Sequence, residues 1–501
     1  MRKMLQHEVV VILGGQVVQL ATAFVTGVFI ARSLGPSDYG VFSLLRTLVL
    51  VAMMLAPLGL DASLLKYCGR AELNDPAMQR VVTLLRCLAG GLNLMTVFLV
   101  GHSLAAAIGT RFYPYPGFAG LLTVTALSLP MLADNAIMSA VFKARGKAGM
   151  FALLTVYLQS AVRFVLVLLA AVIAPTLQVF VWINVLQVVA SVTAILVYEA
   201  RREAAPGVVS SITDLTAWRS AGGILPESLW MALSLLVYGA MRQVDILSLG
   251  LWASAKDVGE YAALSTISQL VQIFPFAASQ SLGPRVSKFH HAGDHAGVRA
   301  ALDDYIHLAA IVSGFVFAGV AAFGERLDLV FGAKFEFTSL VCLVMPLGYL
   351  LSGTLGPTGY ALSMTGRHRE EFYVLAGGCG LLAVLCWLLV PPFGQIGAAA
   401  SVAIAFGFTD MLRLRLVAKT LGFVPGHLTD LIPIAAALVL AFLSRHIADG
   451  LGERTFFITL VGCALYAALY AVVSVAFLLA PKQRAKVFAA LARKAGAEQA
   501  S

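Results

Sequence analysis

Apolar residues fall in long runs along this chain, broken at short intervals by clusters of charge, and these runs organise it more than any strand-like alternation does. A hydrocarbon core about 30 Å thick takes roughly twenty apolar residues to cross as a helix. Fourteen runs reach that length, from 9–31 and 41–64 at the start to 429–447 and 455–480 at the end. The pattern predicts an all-α polytopic membrane protein with about fourteen transmembrane helices. The polar intervals are short. The longest, about Lys66 to Arg80, Arg201 to Glu227 and Arg285 to Asp304, leave no room for a separate soluble catalytic domain.

The cations test this count independently. With the N-terminus in the cytoplasm, 25 of the 35 Lys and Arg fall on the cytoplasmic side and 7 on the other, leaving Arg46, Arg163 and Arg242 inside helices. Short cytoplasmic loops carry the excess of Lys and Arg, and one missed span would scramble the alternation. Both termini are therefore expected in the cytoplasm. The start, MRKMLQHEVVVILGG, has the basic character of a signal peptide. Its apolar run continues through Ile30 without a cleavage site, so a retained first helix is expected.

Sliding the chain by about 220 residues brings Asp38-Tyr39-Gly40 near Glu260-Tyr261-Ala262, Lys66-Tyr67 onto Lys288-Phe289, and Gly146-Lys147 near Gly366-Arg367. These matches recur in order and in equivalent loops. They predict a six-helix bundle over 1–205 and a second over 206–425. Six is even, so the bundles share an orientation and are related by a pseudo-two-fold along the membrane normal. Two additional transmembrane helices follow over 426–481. The tail over 482–501 alternates cations with apolar residues and is expected to lie on the anionic cytoplasmic leaflet. Pro57 with Pro275, and Pro130 with Pro346, occupy corresponding helices, where a proline removes a backbone hydrogen bond and bends the helix.

Composition adds little to the class: 59% of residues are hydrophobic and 12% charged, with a mean hydropathy of +0.87. The net charge of +9 belongs to the topology pattern and does not call for nucleic acid. The six cysteines form no C-x-x-C pair and read as small buried hydrophobes. His290, His291 and His295 lie in a basic loop without a carboxylate or cysteine set, so no metal site is expected. No P-loop occurs, and neither a cofactor nor enzyme chemistry is expected.

Candidate chemistry lies with ionisable residues inside the apolar runs. A charge at mid-membrane costs from a few to more than ten kcal/mol and is tolerated mainly beside a partner or a water-filled interior. In Gly239 to Gly250, Arg242 and Asp245 are three apart and would share a face of one helix, either lining a cavity or locking two helices together. Arg46 and Arg163 are likewise flanked by apolar residues. The in-membrane carboxylates are Asp61, Asp134, Glu227, Asp245 and Asp410. Interior arginines favour an anionic ligand, because the guanidinium fork matches phosphate oxygens. Arg46, Arg163, Arg242, Asp245, Asp134 and Asp61 are the candidate substrate-binding residues. Gln16, Gln19, Asn135, Tyr157, Gln159, Ser160, Tyr238, Gln243, Gln269 and Gln272 could meet sugar hydroxyls or bridge helices.

The stretch Ala31-Arg32-Ser33-Leu34-Gly35-Pro36-Ser37-Asp38-Tyr39-Gly40, then Leu58-Gly59-Leu60-Asp61-Ala62-Ser63, resembles the opening of the bacterial oligosaccharide flippases. These are the Wzx-type branch of the multidrug/oligosaccharidyl-lipid/polysaccharide exporter superfamily. Gln243-Val244-Asp245-Ile246-Leu247-Ser248-Leu249-Gly250, with Val258-Gly259-Glu260-Tyr261, resembles the same family at the start of its second half. The resemblance implies two six-helix bundles around a cavity, with two extra helices. It also implies movement of a polyprenyl-pyrophosphate-linked oligosaccharide to the outer leaflet by alternating access, with proton or sodium coupling. Capsule, exopolysaccharide or O-antigen assembly is the implied setting, and a polysaccharide polymerase and export machinery are the implied partners. A peptidoglycan-precursor flippase is a close alternative, and a cation-coupled exporter would want interior carboxylates instead. A glycan polymerase would call for a larger outer loop, and a non-transporting partner in a glycan-assembly complex is a further alternative.

Overall fold

A computed structural model of the chain describes residues 2–61, 63–64, 76–99, 107–109, 113–202, 208–365, 367–452 and 455–479. Helix makes up 89%, and no strand occurs among the described residues. The basic tail over 482–501 and the loop cations Lys66, Arg70 and Arg111 lie outside the described residues, as does the side chain of Glu227. By compactness the chain divides into Met1–Ala263 and Leu264–Ser501, a division by packing and not by repeat.

The first unit begins with α1 (Arg2–Leu55), followed by α2 (Pro76–Leu99), α3 (Phe118–Ala126), α4 (Leu129–Ala144), α5 (Leu158–Ile173) and α6 (Leu177–Arg202). It continues through α7 (Leu215–Ala240), α8 (Val244–Trp252) and most of α9 (Ala255–Ser268). The second unit holds α10 (Ile273–His291), α11 (His295–Phe323), α12 (Ser339–Leu355), α13 (Pro357–Met364), α14 (His368–Leu421), α15 (Leu431–Gly450) and α16 (Phe456–Val473).

Among the described residues, ten helices are long and apolar enough to cross a membrane. Two of these are double. α1 turns at Gly35 (φ 75°), just before Pro36, and α14 turns at Gly394 (φ 52°), just after Pro391 and Pro392. A positive φ is open to glycine because it lacks a Cβ. Dividing both helices at these turns, and adding the interrupted segments over 215–252 and 255–291, gives fourteen spans in a polytopic all-α fold.

Three of the four prolines singled out above stand at breaks. α1 ends just before Pro57, and the freed carbonyl of Ala56 accepts a bond from Asn93 Nδ2 at 2.8 Å. A turn at Leu127 and Ser128 precedes Pro130, which opens α4. A 3₁₀ stretch over Gln269–Gln272 precedes Pro275. There Ser313 Oγ donates to the carbonyl of Val271 and Tyr305 Oη to that of Pro275, both at 2.9 Å. Pro346 lies within α12, which continues past it. In a membrane, backbone carbonyls released by a break need partners of this kind.

The second arm of α1 and α9 cross very closely within the first unit. A Cβ on Gly40 would collide with the carbonyl oxygen of Ala255, and one on Gly259 with that of Pro36. Small residues let membrane helices approach backbone to backbone. In the second unit the last two spans pack on α11, where Tyr466 and Tyr470 donate to the carbonyls of Phe315 and Ile311 at 2.8 and 2.9 Å.

Candidate substrate cavity in the first unit

A cavity of about 460 Å³ lies inside the first unit, walled by both arms of α1 and by α3, α4, α5 and α6. Arg46, on the second arm of α1, and Arg163, on α5, both line it. Their guanidiniums are close enough for the two charges to repel. Arg163 Nε is buried and has no hydrogen-bond partner, and no salt bridge forms to either arginine among the described residues. Among the described residues, no carboxylate lines the cavity.

The remaining polar wall is amide and hydroxyl. Gln19, Asn135, Gln159 and Ser160, all singled out from the sequence, line it together with Thr22, Asn184 and Gln187. Ser191 sits behind this wall and organises it: its Oγ accepts from Asn135 Nδ2 at 3.0 Å and from Gln159 Nε2 at 2.7 Å, and donates to the carbonyl of Val188. Asn135 Oδ1 is left buried without a partner. The stretch leading into α5, Leu153–Tyr157, is a π-helical turn, a feature frequent at functional sites. It brings Thr155 and Val156 to the wall. Asn184 and Gln187 were not predicted; in sequence they show only as two amides three apart in an apolar run.

The other candidates lie elsewhere. Asp134 is bound by Arg86 through Nε (2.6 Å) and Nη2 (3.2 Å), and Arg86 Nη1 reaches Glu199 at 3.1 Å. Arg86 counts as a loop cation in the charge pattern, yet here it joins α2, α4 and α6. Arg242 and Asp245 do not share one continuous helix. α7 ends at Ala240, Met241–Gln243 form a turn, and Asp245 sits in the first turn of α8. The group that hydrogen-bonds Asp245 is Tyr261 Oη, at 2.9 Å, and Asp245 is 2% exposed. A carboxylate at a helix N-terminus also meets the positive end of the dipole. Asp61 follows the break at Leu58 and Gly59 and is half-buried, away from the cavity.

Two groups outside the spans frame the unit. Tyr113 is pushed up to about 12 by burial, and its hydroxyl donates to the carbonyl of Leu247 at 3.1 Å. Asp214 caps α7, and hydrogen bonds from the Thr216 hydroxyl and then from Arg80 hold its carboxyl down at about 2.

Two neighbouring guanidiniums with no carboxylate among the described lining repel each other, and an anion placed between them would relieve that repulsion. Amides and hydroxyls around them suit a polyhydroxylated group. The family described as polysaccharide biosynthesis protein matches residues 5–290. A Haloferax volcanii protein described as "probable low-salt glycan biosynthesis flippase Agl15" is 21% identical over 174 residues, which is 34% of this chain and only 36% of that relative. Among solved structures, the lipid II flippase MurJ in an inward closed conformation superposes with a TM-score of 0.72 at 13% identity, over 93% of this chain and 99% of MurJ. An inward-facing MATE multidrug transporter of the MOP superfamily gives 0.62 at 13% identity, over 81% and 94%. At these identities the superpositions speak for the fold.

Proposed function

Because the chain belongs to the polysaccharide biosynthesis protein family, we propose that it is a flippase for a polyprenyl-pyrophosphate-linked oligosaccharide. It would carry the glycan from the cytoplasmic to the outer leaflet of a bacterial inner membrane by alternating access, with both termini in the cytoplasm. The observation that carries this reading is the cavity holding Arg46 and Arg163 with no carboxylate. The diphosphate enters between the guanidiniums and removes their repulsion, the amide wall takes sugar hydroxyls, and the polyprenyl chain stays in lipid. A cation exporter would need the reverse polarity in this cavity. Arg242 and Asp245, placed on another wall of the unit, contribute as positioning residues at the helix break.

The test is leaflet-resolved transport. Purified protein in liposomes carrying a labelled polyprenyl-pyrophosphate oligosaccharide moves label to the opposite face, and the Arg46→Ala and Arg163→Ala variants lose most of that movement. Wild-type rates in both variants would sink the cavity assignment. Movement of a peptidoglycan precursor in preference to other glycans would redirect the substrate within the same chemical class.

A further inference from the structure

The second unit contains a buried charge cluster for which substrate binding in the first unit has no use. Arg413, on the second arm of α14, reaches back to Glu371 at the start of the first arm, with Nε at 3.1 and 3.3 Å from its two oxygens and Nη2 at 2.5 Å from Oε1. Its Nη1 donates to Asp410 Oδ1 at 2.8 Å, one turn back on the same arm. Asp410 is 1% exposed, and its Oδ2 has no hydrogen-bond partner. Two carboxylates therefore face one guanidinium, and one oxygen is left over.

Among the described side chains, the surroundings supply nothing to balance it. From α13 comes Gly359, whose added Cβ would lie 2.7 Å from Glu371 Oε1 and 2.9 Å from Arg413 Nε, so backbone closes directly over the cluster. From α12 comes Tyr349, whose hydroxyl pairs with Ser265. Arg367 and Glu370, near the start of α14, pair with each other at the surface. Among the described side chains, Glu371 and Arg413 are thus the charged groups that face Asp410. An unbalanced negative charge at such a position is strongly disfavoured.

We propose that the Glu371–Asp410–Arg413 cluster is a proton-binding site, with one exchangeable proton seated at Oδ2 of Asp410. The donor set selects a proton over a metal ion. Hard cations gather about six or more oxygens, whereas here three of the four carboxylate oxygens are taken by Arg413. A single O–H bond forms at Oδ2 when water delivers the proton and breaks when water removes it, and no electrons change hands. The neutral cluster then has one guanidinium, one carboxylate and one carboxylic acid. The site stands apart from what the protein transports; its use as a coupling site would rest on the flippase reading.

The experiment reads the proton itself, so it does not depend on any substrate. Infrared difference spectra of the purified full chain in lipid, between acidic and alkaline buffers, are expected to show a protonated-carboxyl band that shifts in heavy water. Both Asp410→Asn and Glu371→Gln leave one carboxylate per guanidinium, so each should remove one protonated carboxyl per chain. Glu199→Gln, in the fully bonded cluster around Arg86, should leave the band intact. If Asp410→Asn does not fold, Glu371→Gln carries the same test alone. No exchangeable band in the wild type, or a band of full intensity in the folded variants, would overturn the proposal. Flippase activity measured in the same samples tests the transport reading separately.

Discussion

Arg86 and Arg413 are each bracketed by two carboxylates, whereas Arg46 and Arg163 share a cavity that has none. Both pairs of arginines lie among membrane-spanning helices, where a bare guanidinium is costly. Around Arg86 and Arg413 the fold itself supplies the counter-charge, joining α2, α4 and α6 in one unit and the two arms of α14 in the other. At Arg46 and Arg163 the counter-charge has to come from outside the protein, from water or a ligand. Placement of carboxylates, more than placement of arginines, separates arginines paired within the fold from those left to bind an anion.

The largest expected effect is on the structural side. Removing one member of a buried ion cluster leaves the others uncompensated, at about 3–5 kcal/mol. Arg86→Ala should therefore lower the folded yield and the unfolding temperature sharply, because Asp134 and Glu199 lose their shared donor. Arg46→Ala should leave the unfolding temperature close to wild type, since it breaks no pair, and the same thermal scan compares the two. A stable Arg86→Ala protein would break the distinction.

Next comes binding. A hydrogen bond to a charged group contributes about 1.5–3 kcal/mol, so losing either cavity arginine should weaken uptake of a polyprenyl diphosphate by about 10- to 100-fold at 1.4 kcal/mol per tenfold. A filter or calorimetric binding assay with the unsaturated lipid diphosphate checks this. Adding a carboxylate should have a related effect without removing an arginine. Gln159→Glu puts an anion beside Arg163 in the cavity wall, satisfies it internally and should reduce diphosphate binding several-fold while stability holds or rises. Undiminished binding in Gln159→Glu would show that the diphosphate sits elsewhere.

Much of the fold is legible in the sequence, and the limits of that legibility have physical causes. Run length counts the spans because bilayer thickness sets it, and the turns at Gly35 and Gly394 show as glycine beside proline between two apolar runs. Gly40 and Gly259 lie in the two stretches that carry the family resemblance, and both prove to be the contact points of one close helix crossing. The charge clusters are harder to see. Arg86 and Arg413 lie near the ends of their runs, so a count of loop cations absorbs them. The spacing Asp410-x-x-Arg413 mirrors Arg242-x-x-Asp245, so spacing alone does not separate a buried ion cluster from a pair at a helix break. The turn at Met241–Gln243 follows from packing, and no residue there announces it. The cavity wall draws its residues from five spans, so Asn184 and Gln187 acquire meaning only when those spans are assembled.

The smallest expected effect tests whether pairing alone stabilises, without burial. Arg80 and Asp214 form an ion pair at 3.0 Å, but the Arg80 side chain is 43% exposed, and exposed pairs contribute little because water and salt screen them. Asp214 also accepts from the Thr216 hydroxyl and backbone N–H at the start of α7, so its carboxyl lies at about 2, below the usual value of about 3.9. A folded value below the unfolded one means that the ionised carboxylate favours the folded state. That contribution is complete above about pH 4 and disappears as pH falls toward 2. Asp214→Asn should therefore unfold slightly more easily than wild type at neutral pH, with the two curves converging in acid. The gap should be far smaller than that of Arg86→Ala and should shrink further in high salt. A gap as large as the one at Arg86 would mean that pairing, and not burial, sets the cost of losing a partner in this fold.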